Sequence, residues 1–108
     1  MPIDPQIPMD SPEGKIASNI VEVKFKKGIE RQAMEMLATK IEGKLKGMSC
    51  PSPRPLRSCP KEEWVEWIVF SEPKTYNQLK RIVHQLESNP FVEYSGLNHI
   101  HRFLHFYK

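Results

Sequence analysis

"EEWVEWIVFSEPKTYNQLKRIVHQLESNP", residues 62–90, changes its hydrophobic period halfway along, and that change decides the fold. Its first part, Glu63 to Ser71, is rich in aromatic and β-branched residues, which suit a pleated surface. After Pro73 the spacing becomes helical. Tyr76, Leu79, Val83 and Leu86 fall on one stripe, and Pro90 closes the segment. A strand feeding an amphipathic helix is the repeating unit of a mixed α and β domain.

Upstream, the same succession occurs once more. "NIVEVKFKKG", residues 19–28, alternates: Val21, Val23 and Phe25 share one face, while Ile20, Glu22, Lys24 and Lys26 share the other. From Ile29 the apolar residues Ala33, Leu37, Ile41, Leu45 and Met48 recur every three or four positions, which predicts an amphipathic helix of about 18 residues ending near Gly47. "SCPSPRPLRSCP", residues 49–60, then holds four prolines, compatible only with a loop or a short irregular edge strand around Arg54 to Ser58. The chain closes with a turn at Ser95 and Gly96 and a strand "HIHRFLHFYK", residues 99–108.

The order strand, helix, weak strand, strand, helix, strand is the βαββαβ arrangement of ferredoxin-like α+β domains. It predicts a four-stranded antiparallel sheet with two helices on one face and the other face open. Residues 1–17, Pro-rich and aperiodic, are expected to be a flexible N-terminal arm, and residues 18–108 the domain. A chain of 108 residues suits one such domain. With 39% hydrophobic and 27% charged residues and no apolar run of membrane-spanning length, a soluble protein is expected. The N-terminus has neither a basic start nor an apolar stretch, so a cytoplasmic location is the default expectation.

Net charge of +3 is too small for a dedicated nucleic-acid arm. No Gly-rich phosphate loop, nucleophile elbow or Cys–His pairing in a strand–turn–helix setting occurs, which argues against nucleotide and nucleophilic chemistry. Cys50 and Cys59 fit no zinc-knuckle or CxxC pattern. Reduced thiols are the plainer reading, and a disulfide across the Pro-rich loop is the alternative if the fold brings their Cα atoms within about 7 Å.

Placing Val21, Val23 and Phe25 toward the helices puts Val65, Trp67 and Val69 with them, together with Ile100, Leu104 and Phe106. The open face then carries Glu22, Lys24, Trp64, Glu66, Ile68 and Phe70, followed by His99, His101, Phe103, His105 and Tyr107. Trp64, Phe70, Phe103 and Tyr107 would form an apolar patch of the kind a second copy covers, so a homodimer is expected, with the three histidines at a half-wet interface. As an alternative, His99 and His101 have the i, i+2 spacing of a strand-borne metal pair, to which Glu22 or Glu66 would add a carboxylate.

The layout of residues 64–92, "WVEWIVFSEPKTYNQLKRIVHQLESNPFV", resembles the dimeric α+β barrel group, which includes the antibiotic-biosynthesis monooxygenase-like and muconolactone-isomerase-like families. That resemblance implies two sheets facing each other across a homodimer and a small hydrophobic molecule or haem held beside the sheet. The haem-degrading members carry a Trp in the second helix. Here that helix has His84 but no Trp, so that constellation does not carry over. The RNA-recognition motif shares the element order and reads single strands through aromatics on its central strands, but "EEWVEWIVF" lacks its glycine and its basic opening residue. The sequence thus points to a homodimeric module for small-ligand binding or assembly. Single-stranded RNA binding and a metal- or haem-dependent enzyme are the alternatives. It names no cofactor, no ligand and no catalytic residue.

Overall fold

The computed structural model describes residues 6–50 and 58–100. It is an α+β protein in which two helices accompany a five-stranded sheet whose paired strands all run antiparallel. Strands β1 (Pro8–Ser11) and β2 (Gly14–Phe25) are followed by α1 (Arg31–Lys40), β3 (Gly43–Ser49), β4 (Val65–Phe70), α2 (Tyr76–Glu87) and β5 (Val92–His99). β2 is central: β5 lies along one edge, and β4 along the other with β3 outside it. β1 continues that second edge beside the first residues of β2, pairing Met9 with Ile16 and Pro8 with Ala17.

The sheet separates two apolar clusters. Val21, Val23, Ile68, Phe70 and Leu97 pack with Leu79, Val83 and Leu86 of α2 and Ala38 of α1. Ala17, Ile20 and Trp67, with Val69 beside them, form a smaller cluster on the other side. The expected stripe of the second helix is thus its buried face. Thr75 starts that helix with a full capping box, its Oγ1 accepting from the Gln78 backbone while Gln78 Oε1 accepts from the Thr75 backbone.

Four expectations are corrected. First, the helix predicted from Ile29 to near Gly47 stops at Lys40, because Glu42 turns to φ 66° and Gly43 opens a strand. A Cβ at Gly43 would collide with Ile68 and Phe70, so only glycine lets β3 lie this close to β4. β3 therefore takes the place of the strand expected at Arg54 to Ser58, most of which lies outside the described residues.

Second, Ser95 and Gly96 are interior residues of β5, opposite Val23 and Glu22. The strand expected at residues 99–108 lies outside the described residues from His101 onward. Third, part of the N-terminal stretch expected to be a flexible arm is a hairpin. Gly14 takes φ 102° at its turn, and Ser11 Oγ accepts from the Glu13 backbone while donating to the Gly14 carbonyl.

Fourth, the faces of β4 are exchanged. Ile68 pairs with Val21 and shares its side, whereas Trp67 pairs with Glu22 and Val69 with Ile20. Glu66 lies on the helix side, where Arg31 at the start of α1 reaches it at 2.6 Å. β4 is apolar on both faces, so its pattern alone did not select between them.

Candidate ligand site on the sheet face opposite the helices

Glu22 sits in the middle of the central strand on the side away from the helices, as the alternation of residues 19–28 predicts. Trp67 lies opposite it on β4 and Gly96 opposite it on β5. The residue is only 7% exposed, and its charge has few partners. Asn98 Nδ2 donates to Glu22 Oε2 at 2.8 Å, and Gln6 Nε2 donates to Asn98 Oδ1 at 2.6 Å. Burial pushes the Glu22 carboxyl up to about 7, and the Asn98 bond only partly opposes this. At neutral pH the group therefore exchanges its proton readily, unlike an ordinary surface glutamate.

β5 adds a second functional side chain. Tyr94 lies along its own strand so that its hydroxyl occupies the space a side chain at Gly96 would fill, which places it next to Glu22 across the ladder. Burial, then the Glu22 charge, raise the Tyr94 hydroxyl above its usual range. Tyr94 remains 42% exposed, so the arrangement opens to the surface at this end. Trp67 closes the other side, with its indole N–H donated to Ser49 Oγ at 2.9 Å. Ser95 Oγ donates to the Glu22 carbonyl at 2.8 Å and fixes the β2–β5 register at this point.

The residues expected to form the site are spread over different surroundings. Glu22 is here. His99 instead lies near Glu13 of the β1–β2 turn, its Nε2 3.9 Å from Glu13 Oε1. Tyr76 and Lys80 of α2 also engage Glu13, at 2.7 and 3.0 Å, and these two bonds hold its carboxyl below the usual range. His99 and Glu22 are thus not brought together as metal ligands. His101, Phe103, His105 and Tyr107 lie outside the described residues.

Phe70 belongs to the helix-side core, where Lys74 sits 4.8 Å above its ring. Trp64 is held by the loop before β4, its indole donating to the Cys59 carbonyl at 2.9 Å. Cys50 and Cys59 form a disulfide with Cα atoms 6.0 Å apart, so the alternative reading of this pair is the correct one. Among the described residues, the only cluster with metal-ligand spacing is Cys50, Cys59 and Glu63, and its two thiols are consumed by that bridge.

Tyr94, Asn98, Gln6 and Trp67 are the residues that the sequence did not point to. Gln6 and Asn98 are 92 positions apart, a separation at which single-sequence patterns carry no signal. The one available cue was Glu22, the single acid of its alternating strand. No helix among the described residues is long and apolar enough to cross a membrane. The chain matches no known family model, no curated protein and no solved structure, so no relative's activity transfers to these residues.

Proposed function

We propose that this chain is a ferredoxin-like domain that self-associates as a homodimer and binds a small ligand on the sheet face opposite its helices. The strand order β3-β4-β2-β5, with both helices joining β2 to β3 and β4 to β5, supports the fold assignment, and β1 is an added edge hairpin. The observation that carries the functional reading is Glu22: a carboxyl buried beside Trp67 and Tyr94, bonded at one oxygen by a relayed amide chain. A fold gains nothing in stability from such a group, and buried ionisable groups of this kind concentrate at binding sites. Tyr94, 42% exposed, supplies the apolar surface that a small molecule would contact, backed by the covered cluster of Trp67 and Ile20.

Single-stranded RNA binding has less support. The described face offers Tyr94 for stacking while Trp67 is nearly covered, and its central charge is the acid Glu22, which repels phosphates. The experiment is backbone-amide NMR of the full chain with a library of small fragments, alongside sedimentation over a concentration range. Ligand-induced shifts centred on Glu22, Trp67, Tyr94 and Asn98 in a dimer are the expected result. Shifts centred elsewhere, or a strict monomer at tens of micromolar, would overturn the corresponding half of the proposal.

A further inference from the structure

We propose that this face is a subsite for a small organic cation, an amine with an apolar body, whose ammonium group meets Glu22 Oε1 and whose body lies against Tyr94. This rests on the reading of the face as a ligand site and specifies the class of ligand.

Glu22 Oε2 is taken by Asn98, while no described residue bonds Oε1. Among the described residues no sealed side-chain oxygen lacks a partner, so Oε1 keeps some access to solvent although Glu22 as a whole is nearly covered. Among the described residues the surroundings hold no compensating charge. On β2, Lys24 is the nearest cation along the same face, and Glu93 engages it at 3.5 Å. β4 presents Trp67 between Val65 and Val69, and β5 presents Tyr94, Gly96 and Asn98. The N-terminal stretch adds neutral Gln6. Among the described residues only burial and the Asn98 bond act on the carboxyl.

A buried carboxylate without a countercharge favours a ligand that brings one, because removing one partner of a buried pair costs more than a lost hydrogen bond. An anion would be repelled, and a neutral donor would bond Oε1 but leave the charge uncompensated. Trp67 has committed its N–H to Ser49 and is nearly covered, so it adds an apolar flank and no competing donor. Tyr94, half-exposed, supplies the aromatic surface that a cation can reach.

The test uses butylammonium, 1-butanol and butyrate as probes on the full chain, read by amide and indole NMR shifts at pH 6 and pH 8. Butylammonium stays charged throughout, whereas Glu22 ionises across this window, so binding should be about tenfold tighter at pH 8. Glu22→Gln should remove both the preference for the amine over the alcohol and the pH dependence. A second reading needs no variant. The Glu22 carboxyl midpoint in the native protein should fall well below about 7 when butylammonium saturates the site. Equal binding of 1-butanol, unchanged affinity in Glu22→Gln, or an unmoved midpoint overturns the cation proposal while the ligand-face reading stands. No response to any of the three probes would overturn both.

Discussion

Asn98 and Glu22, 76 residues apart, are joined at 2.8 Å across the β2–β5 ladder, and the amide donates the one side-chain hydrogen bond that the buried carboxylate receives from the described residues. Asn98 can donate in this way because Gln6 satisfies its carbonyl oxygen, which fixes the amide's orientation. The acid is thus held but not neutralised.

Stability should follow from that imbalance. The Glu22 carboxyl lies near 7 in the folded chain and near 4.5 when unfolded, so the folded state binds more protons between these values. Stability is therefore highest below about pH 4.5 as far as this group is concerned, and it falls as pH rises toward 7, by up to about 3 kcal/mol. Glu22→Gln should flatten this dependence and raise the melting temperature at pH 8. Urea denaturation at pH 5 and pH 8 measures it, and a natural protein as stable at pH 8 as at pH 5 relative to the variant would contradict the assignment.

Asn98→Ala should act in the opposite sense to Glu22→Gln. It removes the one described side chain that lowers the carboxyl's proton affinity and strands Gln6 as well. A loss of about 1–3 kcal/mol is expected, greatest above pH 7, where the carboxylate is charged. The double variant with Glu22→Gln should recover part of the loss, which a double-mutant cycle resolves.

Gly96→Ala tests the placement of Tyr94. A methyl group at position 96 meets the tyrosine hydroxyl, and because that is the end of a flexible side chain the ring should swing outward rather than the sheet distort. The fold should survive, while the Tyr94 hydroxyl titrates closer to its ordinary range, visible by ultraviolet absorbance. A tyrosine titration identical to that of the natural protein would place the ring elsewhere.

The Cys50–Cys59 bridge ties the end of β3 to the residue whose carbonyl Trp64 holds. Reduction should destabilise the chain by about 2–3 kcal/mol, chiefly through the larger freedom of the unfolded state. Free-thiol counting before and after denaturation checks the bridge, and two reactive thiols in the untreated protein would rule it out.

The parts of the fold legible in the sequence are those where one face is apolar and the other is not. Val21, Val23 and Phe25 face the helices as the alternation requires, and Leu79, Val83 and Leu86 are buried as the helical stripe requires. The first helix was overextended because Ile41, Leu45 and Met48 satisfy a helical spacing while the turn at Glu42 leaves no residue-type signature. β5 was hidden for the opposite reason. "VEYSGLNH" is polar and contains a glycine, and its buried polar residues are justified by distant partners, Glu22 on β2 and Gln6 near the N-terminus. The disulfide depended on a Cα separation that spacing does not supply. Of the candidate site, Glu22 was visible as the odd acid of its strand, but the residues that make its position unusual came from β4, β5 and the N-terminus.

The most direct test is the titration of Glu22 itself, followed through its side-chain carboxyl carbon by NMR in the natural protein. The account predicts a midpoint near 7, shifted further upward in Asn98→Ala. A midpoint near the ordinary glutamate value of about 4.3 would contradict it, because the carboxyl would then be hydrated or paired and the face would lose its distinguishing chemistry.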